Sequence, residues 1–502
     1  MFGWRFWFRR IHISWLVAGV CAGFLLGVGL CLIPATAVFG TKIWLIFGLL
    51  LLPIIFYKQK TWMMILAILA GSFMGLFRGT AERVALSDYG QFINQTLTIS
   101  GKVFEDPDLG LSGDLRMRLV EVEIDGQKLP GQVWTSIIGA RPEIRRSDTV
   151  FITGKLKNGF GTFPASMSFA KLDKVEAGVG NDPARDLRDE FSEQLSYSVS
   201  GPAHDLGMGV LAGQKTALPN DISEAFRIAG LTHIVVASGY NLTILIRFSR
   251  RLFARISRLA ALLGGGTMAL GFAFVTGFSP SMMRAGLVAG LSLLAWFYGR
   301  KFHPVVLILL VAAATVAINP AYVWGDAGWY MSFFAFAGIL ILAPLIKAYF
   351  WGEARPKPKI KLRHKRPTAI LTSLRQVFIE TMSAQVLTMP IIALMLGQFA
   401  PYGILANLLV LPLVPLTMLL TFLAGIIGAI LPNLAALAGW PAQTLLDYII
   451  GVSQAVSNIP GAAQEVNFGV SWFVISITIL LALLIYLRLK TKHNLREDNI
   501  VA

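Results

Sequence analysis

Cysteine is nearly absent from this 502-residue chain: Cys21 and Cys31 are the only two, and both lie in one apolar run near the start. They cannot build a disulfide framework or a thiolate metal site. Histidine is scarce as well, and positions 12, 204, 233, 303, 364 and 493 show no metal-ligand spacing. No Ser–His–Asp or Cys–His order stands out. The stretch AGQKT at 212–216 has its first glycine at the wrong spacing for a phosphate loop. The chain is therefore read as a non-enzyme without cofactor or metal, unable to drive work by its own nucleotide hydrolysis. Charge is the last shortage: 14% of residues are charged against 55% hydrophobic.

What the chain has in abundance is apolar runs of membrane-spanning length, which make it a polytopic α-helical membrane protein. About twelve spans are expected, near 15–33, 42–57, 61–77, 231–248, 259–277, 281–299, 304–319, 328–349, 371–397, 402–430, 437–458 and 467–487. The span near 437–458 carries Gln443 and Asp447. Basic loops set the orientation: RFWFRR at the start, KQK at 58–60, RFSRRLFARISR at 247–258, GRK at 299–301, RPKPKIKLRHKRP at 355–367 and RLKTK at 488–492. Twelve spans put all of them on one side, the cytoplasmic one, together with both termini. Residues 78–230 then lie outside. That block holds 17 Lys/Arg and 21 Asp/Glu, while the remainder holds 27 and 7, so the net charge of +16 belongs to the inner face. A basic chain is here no sign of nucleic acid, and the run at 355–367 reads as an orientation signal touching lipid headgroups.

Five segments are expected: 1–80, N-terminal transmembrane helices; 81–180, an extracytoplasmic β domain; 181–230, amphipathic and interfacial helices; 231–490, the main transmembrane domain; and 491–502, a cytoplasmic tail. In the β domain LRMRLVEVEI nearly alternates apolar and polar, and Asp125-Gly126 turns the chain. QVWTSII, TVFITGKL and SMSFAKL follow at the spacing of a small antiparallel barrel. Its acidic balance suits a supporting domain, with Arg141, Arg145 and Arg146 its one basic cluster. DPARDLRDEFSEQLSYSV reads as an amphipathic helix along the outer interface. PNDISEAFRIAG reads as a short helix capped by Asp221, boxed by Glu224 and stopped by Gly230. Lys215 and Arg227 complete the candidate external anion contacts.

The stretch HIVVASGYNLTIL, 233–245, sits at a span yet carries His233, Ser238, Tyr240, Asn241 and Thr243. Unpaired polar groups in hydrocarbon cost several kcal/mol each. On a continuous helix His233 and Asn241 share a face at i and i+8, and Gly239 between them permits a bend. Five such groups in one span point to a polar lumen rather than to single helix–helix bonds. Similar marks recur at Arg284, at Asp326, Trp329 and Tyr330, and at Gln385, Gln398 and Asn407.

Four strings in order, VLAGQKTALPNDISEAFRIAGLTHIVVASGYNLTIL, GFSPSMMRAGLVAG, INPAYVWGDAGWYMSFFAFAGILILAP and SAQVLTMPIIALMLGQFAPYGILANLLVLPLVP, resemble the competence domain of the ComEC family. The resemblance covers about 205–425 strongly and implies an inner-membrane channel for single-stranded DNA in natural transformation. It implies an OB-like fold for the β domain. It also implies a short form, without the metallo-β-lactamase-like domain many relatives carry. The implied partners are single-stranded DNA, membrane lipids, a separate extracytoplasmic DNA receptor, a cytoplasmic ATPase or translocase, and a separate nuclease. The family usually has Ser-Gly-Leu-His where this chain has Ser238-Gly239-Tyr240-Asn241, exchanging an ionisable group for a neutral amide. Two other classes fit the residues alone: a transporter of another envelope polyanion, and a scaffold of an envelope complex.

Overall fold

The computed structural model describes residues 10–33, 42–110, 113–138, 144–178, 182–214, 218–235, 238–277, 279–352, 369–462, 464–466, 468–493 and 495. The chain divides into two compact units, 1–182 with 305–330, and 183–304 with 331–502. Along the chain run α1 (Ile13–Leu30), α2 (Lys42–Lys58) and α3 (Met63–Leu86), the last continued by a 3-10 turn at Ser87–Phe92. Strands follow as β1 (Thr96–Val103), β2 (Asp108–Leu109), β3 (Leu115–Ile124), β4 (Gln127–Leu129), β5 (Val133–Ile137), β6 (Thr149–Asn158) and β7 (Ala165–Glu176). Then come α4 (Pro183–Ser196), α5 (Gly201–Ala212), α6 (Asn220–Ile228), α7 (Thr232–Val235), α8 (Gly239–Phe253), α9 (Arg258–Val275) and α10 (Pro280–Phe297). After them are α11 (Pro304–Ile318), α12 (Ala321–Gly325), α13 (Ala327–Ala337), a π-helical turn at Gly338–Leu342 and α14 (Ala343–Trp351). The last elements are α15 (Ala369–Met395), β8 (Gln398–Phe399), α16 (Gly403–Val410), α17 (Val414–Ile430), α18 (Pro432–Ser457), β9 (Gln464–Glu465) and α19 (Val470–Thr491).

In the first unit, α1 and α3 meet backbone to backbone. Gly19, Gly23 and Gly27 recur every fourth residue on α1, and Gly71, Gly75 and Gly79 do so on α3. A Cβ on Gly23 would lie 2.0 Å from the Ile68 carbonyl oxygen, and one on Gly71 would lie 2.0 Å from that of Val20. Between apolar helices in lipid, such small-residue stripes let van der Waals contact replace the missing hydrophobic drive. Arg78 donates to the Ala317 and Ile318 carbonyls, capping the C-terminus of α11.

The β domain closes on itself. β1 pairs with β3 and β6, β6 with β7, β7 with β5 and β5 with β3, all antiparallel except β5–β7. The ring β1-β3-β5-β7-β6 is a five-stranded barrel, filled by Ile99, Leu119, Ile124, Val133, Ile152 and Met167. β3 spans the ten residues expected, and Asp125 and Gly126 both take positive φ, as a tight hairpin requires. β1 is the strand that the alternation did not announce.

In the second unit, α4 packs against the helices that follow it in the chain. Its Phe191 ring rests on Gly425 of α17, and Ser198 beyond it donates to the Ala424 carbonyl. The Ser200 N–H donates to Gln443 of α18, whose amide in turn donates to Asp447. The polar residues of the 437–458 segment are thus satisfied by one another and by the chain after α4. α6 begins one residue before the expected cap. Glu224 pairs with Arg227 at 2.7 Å instead of closing a capping box.

Among the described residues, seven helices are long and apolar enough to cross a membrane, and the α16–α17 pair, bent by 49°, makes an eighth if it is one span. These cover eight of the twelve expected spans. Two more, at α2 and α11, are shorter apolar helices. The span expected at 231–248 is broken between α7 and α8, and the one at 437–458 falls in the more polar α18.

Gly71→Leu is expected to separate α1 from α3, because overpacking costs about 1–3 kcal/mol even where side chains can shift and here the neighbour is backbone. The check is thermal stability of the purified protein, with Gly90→Leu, where a Cβ meets nothing within 4 Å, as the unchanged control.

Candidate functional site

The interruption between α7 and α8 is followed directly by Ser238, Tyr240, Asn241 and Thr243. A helix break leaves carbonyls at one end and N–H groups at the other without intrahelical partners. Ser238 is extended (φ −118°, ψ 166°) and its carbonyl accepts from the Leu242 N–H. Thr243 returns its hydroxyl to the Gly239 carbonyl at 2.8 Å. Asn241, 2% exposed, donates its amide to the Val210 carbonyl of α5 at 2.9 Å. Ser238 Oγ lies 3.4 Å from Asn241 Oδ1.

Glycines carry the neighbouring backbones up to the break. A Cβ on Gly209 would stand 2.1 Å from the Val235 carbonyl oxygen, so α5 reaches α7 only without one. A Cβ on Gly239 would stand 2.7 Å from Ala285 Cβ of α10, beside buried Arg284. Gly230, at φ +67°, ends the α6 turn against Gly403 at the start of α16, and the Gln385 amide lies against Gly403 too. Asn407, 1% exposed, donates to the Gly403 carbonyl at 2.8 Å. Its Oδ1 has no hydrogen-bond partner among the described residues. Tyr240 is exposed, its hydroxyl a long 3.5 Å from the Leu411 carbonyl.

The second unit therefore holds Ser238, Gly239, Tyr240, Asn241, Arg284, Gln385 and Asn407, along with His233 on α7 and Gln398 on β8, where β8 pairs with β9. The shared face expected for His233 and Asn241 does not exist, because the helix that would carry it is interrupted. Asn241 turns to α5 instead. Asp326, Trp329 and Tyr330 belong to the other unit and serve it locally. The Asp326 carboxylate accepts the Trp329 N–H at the start of α13, the Trp329 indole donates to Thr315, and the Tyr330 hydroxyl donates to the Val323 carbonyl. These three fasten α11, α12 and α13 together, so each of these expected path residues is bonded within its own unit.

Of the cations expected outside, Arg146 is buried and bound twice by Asp182, at 2.7 and 2.9 Å. The Arg145 N–H donates to Asp148, and Arg227 is held by Glu224. That ion pair keeps the Glu224 carboxyl below its usual range, chiefly through the Arg227 hydrogen bond. Arg141 and Lys215 lie outside the described residues. Missed by the sequence reading were Gly209, Val210 and Ala285; small residues every few positions in GMGVLAG were the one available signal. The π-helical turn was missed too: Gly338 sits there against the Ser383 carbonyl of α15, and such turns often mark functional positions.

Among the described residues no group of three His, Cys, Asp or Glu could hold a metal. A family model described as Competence protein matches residues 210–491, over half of the chain. The chain belongs to the Competence (ComEC) family. No curated protein and no solved structure matches it significantly. The Competence family is one of channels and transport rather than of enzymes, and membership ties this multi-pass membrane protein to DNA uptake. The match opens at Val210, the residue whose carbonyl Asn241 holds, and runs to the end of α19.

α5 is also joined to α4 through His204, whose ring nitrogens face the Asp205 carboxylate at 3.1 Å and the Ser192 carbonyl at 3.0 Å. The Asp205 hydrogen bond raises the imidazole pKa above 6.5; burial opposes the rise and the Ser192 carbonyl adds to it. A raised folded pKa contributes stability that is complete below the unfolded value and vanishes as pH climbs through the folded one. His204→Gln is therefore expected to cost about 1–2 kcal/mol at pH 5.5 and less at pH 8.5, read as the gap in melting temperature from the parent. An equal gap at both would mean the ring is held neutral.

Proposed function

We propose that this Competence-family chain is the inner-membrane conduit through which single-stranded DNA enters the cytoplasm. The carrying observation is the family match over a broken helix in a stretch read as a span, since irregular backbone at membrane depth is tolerated only inside protein or beside water. On this reading Ser238 and Tyr240 face the strand, with His233, Arg284, Gln385 and Gln398 along the same path. Asn241 and Asn407, buried to 2% and 1% exposure, hold its wall. Uncharged donors and one cation suit a polyanion that must bind and then leave. An exposed tyrosine offers stacking of about 1–3 kcal/mol per base.

The rest of the reading follows from that role. The short α2 and α11, the broken helix and α18 bring the spans to about twelve, with both termini inside and 78–230 outside. The barrel is OB-like, in keeping with its five-stranded closure, and acts as a support rather than the main receptor. An outer DNA receptor, a cytoplasmic ATPase or translocase and a separate nuclease supply what this chain is read as lacking.

Deletion of the gene is expected to leave labelled DNA bound outside the cell and to remove it from the cytoplasm. Gly239→Ile should cut uptake at least about tenfold, because its bulk meets Ala285 and β-branching stiffens the bend. Asn241→Leu strips the Val210 carbonyl of its donor, worth about 1–3 kcal/mol, and should lower uptake as well. Asn241→His keeps a donor and should be tolerated. Parental uptake by the deletion strain would end the proposal; parental uptake by all three variants would move the path elsewhere.

A further inference from the structure

The C-terminal half of α8 answers two demands that rarely coincide. One side of the helix is held: Leu242 and Ile246 pack with Met282, Ala285 and Leu293, and the Arg250 guanidinium lies over the Trp296 ring at 5.3 Å. Phe253 packs against Gly264 of α9. A turn follows Phe253, with Ala254 and Ser257 N–H groups donating to the Arg250 and Phe253 carbonyls. On the other side Phe248, Leu252 and Ile256 recur every fourth residue, 52%, 55% and 74% exposed. Arg251 and Arg255, one position ahead of Leu252 and Ile256, are exposed beside them, and so is Arg258. No acidic residue occurs between Glu224 and Asp326, so these cations have no opposite charge in their own stretch of chain.

Exposed arginines exclude this face from the hydrocarbon core. Exposed Phe, Leu and Ile one step away exclude it from open water. The boundary between acyl chains and headgroups satisfies both, and a basic amphipathic helix is the form that binds there. We infer that the outer face running from Phe248 on α8 through the following turn to Arg258, the first residue of α9, is a binding site for anionic phospholipid headgroups, with its apolar side chains sunk among the first acyl carbons. Single-stranded DNA would engage the arginines equally well, but it has no use for exposed leucine and isoleucine, which neither stack nor pair. The site stands apart from the conduit reading and would exist whatever the cargo.

The test uses the full-length protein purified in detergent, with phosphatidylglycerol and phosphatidylcholine offered in equal amount and the bound lipid read by native mass spectrometry. A preference for phosphatidylglycerol is expected, on the order of fivefold per engaged cation, and it should disappear in the Arg251→Gln, Arg255→Gln, Arg258→Gln variant. In lipid vesicles a fluorophore on Leu252→Cys, selective because Cys21 and Cys31 are buried, should be quenched by nitroxides placed just below the headgroups. Equal retention of the two lipids would overturn the site, as would quenching from water or from the bilayer centre alone. A triple variant that keeps its lipid preference but loses single-stranded DNA binding would reassign the arginines to the nucleic acid.

Discussion

The hydrogen bond from the Asn241 amide to the Val210 carbonyl is the contact on which the second unit's broken helix depends. A bilayer supplies no water to a free carbonyl or amide, so a chain that interrupts its helix must find partners within itself. Here α5 comes to the break from one side, Gly209 allowing it to touch the Val235 backbone. α10 comes from another, fitting Ala285 where Gly239 has no side chain. Each approach is set by a missing Cβ. The two ends of the break are thus each met by a neighbour, and Ser238 is left half-buried beside them.

The same economy of small residues builds the first unit, where two glycine stripes bring α1 and α3 to carbonyl contact. There the polar groups close locally: Trp329 on Thr315, Tyr330 on Val323, Arg78 on the end of α11. Polar side chains on these helices thus have two fates in this protein. Those of α12 and α13 satisfy their own connections, while those of α8 and α16 reach neighbouring backbone, with Asn407 Oδ1 left without a partner among the described residues.

Apolar length and basic loops made the helical membrane class legible in the sequence, and strand alternation made the barrel legible, down to the bounds of β3 and the Asp125-Gly126 turn. Partnership was harder. A buried asparagine reads the same whether it faces water or a carbonyl thirty-one residues back, because sequence records the donor and not the acceptor. Asn241 looked like lumen for that reason, and so did Trp329 and Tyr330. Arg146 looked free until Asp182 proved to bind it. Helical periodicity also fails wherever the helix stops, and the phase relation between His233 and Asn241 was lost at the break.

The central claim is that the break between α7 and α8 borders water inside the membrane. Single cysteines in place of Ser238 and of Ile246, which is 1% exposed on the same helix, can be challenged with a small charged thiol reagent in intact membranes. The account predicts that the Ser238→Cys protein reacts readily while the Ile246→Cys protein does not. Silence at Ser238, or equal reaction at both positions, would contradict it.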